Sequence, residues 1–543
     1  MEGFNLIDEP WIPCIDMNGR TVEYGIRDTL LQAHLLREIF DDSPLVTVSI
    51  HRLLLAILFR AFEGPKDFES WKKLWEGKSF KRSNLTDYIE KWESRFDLFS
   101  QTHPFYQMKG LETRKAVTVT RLATECSSGN NTTLFDHSTD MDRVFWAPPQ
   151  TAKWLIACQS FALGFGKSRN ATIKGKEEKI PYSADGIALR GMCVWLQGEN
   201  LFDTLMINLI PNDNESLPPW ELEDPHVYRD KLDGKKRKTY SSFGLVDRLT
   251  WQSRLILLLP EHGTVSNMYF TQGRSADKSP GDPMKVYRAS INEGISPLSF
   301  SSTKATWREA HSIMMIPLPN SNEHRPECFN LVARIRLSGI LEQQKHYLIN
   351  VAGLASAPGK AGKFLLWRQE RMPIPASILI NGDQIERIGN LLRNSELTAG
   401  ELRKRVYRIA KLYIAPDSEV PGSKQPDSNE VIKISDAINP CHAYWSRLEE
   451  HFFPLLREIA GDWDKEKNEW KPDGEQLATI AWRKALKKEA QRALEESIRA
   501  LGTTGRAIQA VARVRTNFYD WNPESSFNHD TNIEGKEVEG NES

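Results

Sequence analysis

The chain has 543 residues, 40% of them hydrophobic and 26% charged, with a formal net charge of −1 at pH 7 and a pI near 6.9. This length suits about two to four domains around sizeable apolar cores, and the balanced charge excludes a uniformly basic nucleic-acid coat, so any such binding must rest on local patches. The six cysteines (Cys14, Cys126, Cys158, Cys193, Cys328 and Cys441) are far apart and form no C-x-x-C pair, which argues against a disulfide framework or zinc finger and fits a reducing cytoplasm.

In chain order, the opening MEGFNLIDEPWIPC has no basic segment leading into an apolar run, so no signal peptide is expected. The longest apolar run, LLLAILF at 53–59, falls short of the roughly 20 residues that span a bilayer. No membrane association is expected, and the cytoplasm is the expected location. VSIHRLLLAILFRAFEG (48–64) reads as a buried helix closed by Gly64. DFESWKKLWEG (67–77) and NLTDYIEKWESRF (84–96) read as amphipathic helices. LTWQSRLILLLP (249–260) and MKVYRASI (284–291) read as strands bounded by turn residues.

The pattern changes near residue 375. Beyond it, helices are expected at about 383–395, 398–413, 433–460, 475–501 and 504–518, with a polar loop at 416–429. Helices joined by loops favour a bundle. The expected organisation is α+β: a large mixed α/β domain over 1–375, a helical bundle over 376–519, and a disordered tail over 520–543, where apolar groups are few.

Catalytic motifs are scarce. NNTTLFDHSTDMDR (130–143) packs Asp136, His137, Asp140 and Asp142 together, a set that could ligate Mg²⁺, Mn²⁺ or Zn²⁺ in a metal-dependent nuclease or phosphohydrolase. The spacing matches neither an EF-hand loop nor H-E-x-x-H, and the many Asn, Thr and Ser residues suit a solvated loop instead. Neither a P-loop nor a G-x-S-x-G elbow is present. His324 and Cys328 flank Pro326, which argues for a loop, and Cys441–His442 opens a helix. His51 and His34 sit in apolar surroundings and are expected in the core. No catalytic residue, metal or cofactor is therefore assigned.

Basic segments are more informative. GFGKSRNATIKGKEEK (164–179) mixes Gly164, Gly166 and Gly175 with Lys167, Arg169, Lys174, Lys176 and Lys179, and DGKKRK (233–238) and GKAGK (359–363) repeat the theme. Glycines let a backbone approach a ligand, and cations attract phosphates. A solvated loop has the same composition. The last helices carry Lys484, Lys487, Lys488, Arg506 and Arg513, either an ordinary charged face or a surface for nucleic acid.

Several blocks together resemble the CasA family, the large subunits of the type I-E CRISPR surveillance complex Cascade. They are FNLIDEPWIP (4–13), HPFYQMKG (103–110), SGNNTTLFDH (128–137), GFGKSR (164–169), VWLQGENLFDTLMINL (194–209), LTWQS (249–253) and HAYWSRLEEHFFPLL (442–456). The resemblance implies a mixed α/β N-terminal domain, a C-terminal four-helix bundle and binding without catalysis. It implies recognition of the protospacer-adjacent motif (PAM) in double-stranded DNA, the start of unwinding for guide-RNA pairing, and recruitment of a helicase-nuclease. The implied partners are guide RNA, target duplex, the backbone and small subunits, and that effector. By the same resemblance, Asn130, Asn131, Phe135 and His137 belong to a loop docking near the guide end. The glycine loop with its flanks (Gly164, Phe165, Gly166, Lys167, Arg169) lies against the PAM minor groove, and Lys285 is the groove-reading lysine. The wedge that splits the first base pair falls on Gly359, Lys360, Ala361 and Gly362, where the family pattern has a Gln that this chain lacks. A purely structural scaffold subunit is the remaining rival.

Overall fold

Helix Pro44–Ala61 begins where Ser43 accepts a hydrogen bond from the Val46 amide and Pro44 supplies a preset φ. Most of its residues are apolar, and Ser49, His51 and Arg52 find partners inside the fold, so it is buried on nearly every side. Among the described residues it is the one helix long and apolar enough to cross a membrane, and 89% of it is buried inside the fold. The computed structural model describes residues 3–515 except 125–143, 165, 214–215, 228, 230–231, 234–235, 238, 278–280, 291–293, 302, 341–344, 358–359, 462, 465–468 and 471. The chain divides into two units, Met1–Ile380 and Asn381–Ser543.

In the first unit, helix Pro148–Phe161 packs on Pro44–Ala61. The expected amphipathic helices are present at Phe68–Glu76, opened by an Asp67/Ser70 capping box, and at Arg82–Trp92. The largest sheet is four-stranded. Its centre is His346–Ala357, which pairs along one side with Lys360–Pro375 and along the other with Cys193–Gln197 and then Phe300–Ser301. Arg254–Glu261 pairs with Thr264–Gln272, which pairs in turn with Val117–Thr118. Leu111–Thr113, Arg169–Ile173 and Lys176–Ile180 form a further three-stranded sheet. Met108, Leu111, Ala171, Ile173, Ile180 and Leu255 join these last two sheets in one apolar cluster.

Two strand expectations shift. The strand expected from 249 begins at Arg254, and that expected from 284 begins at Tyr287. His51 is buried, its Nδ1 3.0 Å from the Thr47 carbonyl. His34 is a correction, because it is exposed in the turn Ala33–Leu35 while its neighbours Ala33 and Leu36 turn inward.

The second unit is helical, with two short strands, Trp463–Asp464 and Glu469–Trp470. The helices expected at 383–395 and 398–413 are one helix, Gly382–Ile414. No breaker separates them, and the buried stripe Ile385, Ile388, Leu392, Ala399, Leu402, Val406 continues at helical spacing. Ser395 and Thr398, on either side of the supposed gap, donate back to the Leu391 and Asn394 carbonyls and so stay compatible with the helix. The expected helix 433–460 is instead two, Ser428–Ala437 and Cys441–Gly461. The break falls at Asn439–Pro440, where Asn439 Oδ1 accepts the Cys441 amide. Pro472–Arg499 and Gly505–Arg515 complete the described helices, and Gly382–Ile414 packs against each of the other four.

Candidate nucleic-acid interface

The GFGKSR loop connects helix Pro148–Phe161 to strand Arg169–Ile173, so both of its ends are fixed by regular structure. Gly164, Gly166, Lys167 and Arg169 are exposed. Gly164 donates its amide to Asp185 Oδ1 at 2.9 Å. A Cβ on Gly164 would lie 2.7 Å from that oxygen and 2.9 Å from the Asp185 amide nitrogen, so the glycine is required by close approach. Gly166 is required for a different reason. Its φ is +84°, which L side chains rarely adopt, and nothing lies within 4 Å of where a Cβ would be.

The loop rests on a buried arginine that sequence reasoning did not single out. Arg254 is fully buried, and its Nη2 donates to the Leu163 and Ala184 carbonyls at 2.6 and 2.7 Å. Its Nη1 donates to Gln272 Oε1 at 3.0 Å, and the same oxygen accepts the Ala184 amide at 2.8 Å. Loop 163–164 and segment 184–185 are thus clamped together from below. The one sequence signal was an Arg opening the otherwise apolar strand RLILLLPE, and a local pattern cannot say which carbonyls it will meet.

Lys285 is also brought to this region, but in a role that corrects the sequence expectation. It is 3% exposed, and its Nζ donates to the Ile187 and Arg190 carbonyls at 2.6 and 2.7 Å. A groove-reading ammonium must face solvent, and this one points into the protein. Burial lowers its pKa, partly offset by Asp282. Asp282 is itself held by Arg52, whose Nη1 lies 2.9 Å from its carboxylate with both side chains 1% exposed. Burial alone would raise the Asp282 pKa, yet Arg52 and Lys285 hold it below the usual carboxylate range. From Lys285 the connection runs outward: Arg190 Nε donates to Asp185 Oδ2 at 2.5 Å, and Asp185 Oδ1 holds Gly164. Lys285 therefore reaches the glycine loop through two intermediaries. Replacing it with Met keeps most of its volume and leaves both carbonyls without their donor. Stability is expected to fall by about 1–3 kcal/mol, with faster amide exchange over 187–191. Unchanged denaturation and exchange would show that the ammonium is not a strut.

Of the wedge candidates, Lys360, Ala361 and Gly362 begin strand Lys360–Pro375, and Lys360 is the register partner of Ala357. They sit at the start of the second strand of a long hairpin; Gly359 lies outside the described residues. Phe165 also lies outside them, as do Asn130, Asn131, Phe135, His137 and the acidic residues Asp136, Asp140 and Asp142. Among the described residues no group of three or more His, Cys, Asp or Glu could hold a metal ion.

In the second unit, Lys484, Lys487 and Lys488 are exposed on helix Pro472–Arg499, and Arg506 and Arg513 are exposed on Gly505–Arg515. They are not equivalent cations. Arg513 Nη1 donates to the Pro416 carbonyl at 2.6 Å, and Lys488 Nζ lies 3.6 Å from the buried Glu489.

The family model for CRISPR-associated protein Cse1 matches residues 5–493. A CasA/Cse1 protein of Thermus thermophilus is 29% identical over 525 residues, covering 95% of this chain and 97% of that protein. The crystal structure of a Thermus thermophilus CasA aligns with a TM-score of 0.76 at 26% identity, over 96% of this chain and 99% of that one. A chain of a CRISPR RNA-guided surveillance complex shares the fold at a TM-score of 0.68 and 18% identity, over 95% and 99%.

Proposed function

Because the chain belongs to the Cse1 family of CRISPR-associated proteins, we propose that it is the non-catalytic large subunit of a type I-E surveillance complex. In this role it reads the PAM in target duplex, starts unwinding for guide-RNA pairing and helps recruit the helicase-nuclease. Its other partners are the guide RNA and the backbone and small subunits, with the 128–137 segment docking near the guide end.

The observation that carries the reading is the glycine loop. It is an exposed turn with backbone at positive φ, flanked by the exposed cations Lys167 and Arg169, and clamped by Arg254 and Asp185. Such a turn can place its backbone close to a groove floor while the cations meet phosphates. The minor groove offers a degenerate code, so readout there tolerates related motifs and leaves long-range specificity to the guide. The deciding experiment compares binding of the assembled complex to duplexes with intact and mutated PAM. Equal binding would leave a scaffold role, whereas metal-stimulated cleavage by the purified chain would indicate an enzyme.

The cations of the second unit are assigned to the displaced strand or to neighbouring small subunits. Reversing Lys484, Lys487 and Arg506 to Glu is expected to shorten R-loop lifetime, with a weaker salt dependence and unchanged PAM preference. An unaltered lifetime at low and moderate salt would mean that this face is merely solvated.

A further inference from the structure

The burial of Lys285 leaves the glycine loop without the cation expected there, and the fold ties a different one to the loop's base. The Arg190 side chain is 53% exposed, and its Nε donates to Asp185 Oδ2 at 2.5 Å. The other oxygen of that carboxylate accepts the Gly164 amide at 2.9 Å. One carboxylate thus holds the first glycine of the loop with one oxygen and a guanidinium with the other. Among the described residues neither Nη of Arg190 has a partner. Lys167 and Arg169, both exposed, follow the Gly166 turn, so cations stand at both ends of the loop.

The main chain that carries Arg190 is fixed from two directions. Its carbonyl accepts from the buried Lys285 ammonium at 2.7 Å. Gly191 follows at φ +91°, packed so closely that an added Cβ would lie 2.6 Å from Pro297 Cβ. None of this requires the Arg190 side chain. Any residue offers Lys285 a carbonyl, Asp185 can accept from Gly164 alone, and an ion pair this exposed contributes little to stability. What the arginine adds is a guanidinium with one group anchored and two facing outward. A lysine ammonium is a point charge without that planar fork.

We propose that Arg190 binds a phosphate of the target duplex beside the glycine loop, both Nη groups donating to it, with Asp185 as the positioning residue. The assignment rests on the reading of the loop as a DNA contact. Reach favours a phosphate over a base edge. The minor groove is about 7.5 Å deep, and the guanidinium is tethered through Asp185 to the loop's first glycine rather than to its turn. Phosphate contacts fix register and carry no sequence information. Arg190 therefore sets where the loop sits on the duplex, and choice among motifs stays with the loop itself.

The test measures binding of the assembled complex to PAM-containing and PAM-mutated duplexes across a salt series, for wild type, R190Q and R190K. R190Q is expected to bind both duplexes about tenfold more weakly, with the slope of log affinity against log salt less steep by about one. R190K keeps the charge, so it should keep the wild-type slope and still lose affinity for both duplexes. The melting temperature of R190Q should match wild type. R190Q with wild-type affinity and slope would overturn the proposal, as would a loss confined to the PAM duplex at an unchanged slope, which marks a base contact. If R190Q assembles poorly, R190K decides, because wild-type affinity in R190K would exclude the two-pronged contact. A wild-type complex that binds both duplexes equally would sink the PAM reading instead, and the R190Q slope would still decide the role of Arg190.

Discussion

Gly166→Asp in the assembled complex is expected to lower affinity for PAM-containing duplex by about ten- to a hundredfold while leaving assembly intact. A carboxylate about 4 Å from a phosphate costs roughly 1 kcal/mol in water and about 4 kcal/mol where the effective dielectric is near 20. Nothing lies within 4 Å of the new Cβ, so the cost to the fold is the backbone strain at φ +84°, which Asp and Asn bear better than other L residues. Gly166→Asn separates charge from backbone, since Asn tolerates positive φ and carries no charge; it should bind nearer to wild type. Gly164→Val acts differently. Its Cβ would press on Asp185 and Ala184, shifting the clamp beneath the loop, and the loss should extend to duplexes of any sequence. Target DNA already mispaired across the protospacer should partly restore binding of Gly166→Asp, because melting is then no longer required. Wild-type discrimination by Gly166→Asp would place the glycine loop away from DNA.

Asp282→Ala is expected to destabilise the first unit by about 3–5 kcal/mol, the cost of leaving a buried charge unpaired. Two cations lose their partner at once, Arg52 through a direct ion pair and Lys285 through its charge. Denaturant midpoints of the variant and wild type measure the loss. The combination of Asp282→Leu, Arg52→Met and Lys285→Met should recover part of it, since Arg52 and Lys285 then leave no unpaired charge, while the Arg248, Ile187 and Arg190 carbonyls lose their donors. The pH dependence has a defined sign. Asp282 is lowered in the fold, so its contribution is complete above the unfolded carboxylate pKa of about 4 and is lost as pH falls through the lower folded value. The midpoint difference between wild type and Asp282→Ala should therefore shrink on acidification below about pH 4. A difference that stays constant down to acid unfolding would exclude the carboxylate as its source.

By itself the sequence determined what is carried by neighbours along the chain. The apolar run around Leu53–Phe59 required a buried helix, expected over 48–64 and found at Pro44–Ala61. Periodic apolar residues placed the helices after 381, and quoted blocks from FNLIDEP to HAYWSRLEE marked the family. Gly164 and Gly166 were legible as a loop where backbone comes close. Even within this reach, element ends moved, because Ser395 and Thr398 satisfied their hydroxyls inside a helix that composition seemed to interrupt.

Only the tertiary structure decided the charged groups. Arg52 meets Asp282 across 230 residues, and Arg254 meets Leu163 across 91. Desolvating such groups is tolerable only where specific carbonyls and carboxylates receive them, and no local periodicity records those partners. Lys285 shows the difference most plainly. Its segment, MKVYR, reads as a strand with an exposed cation, but the bridge between Lys285 and Cys193 turns it inward onto two carbonyls. His34 moved the opposite way, out to solvent, because a short turn between two packed apolar residues left it no place inside.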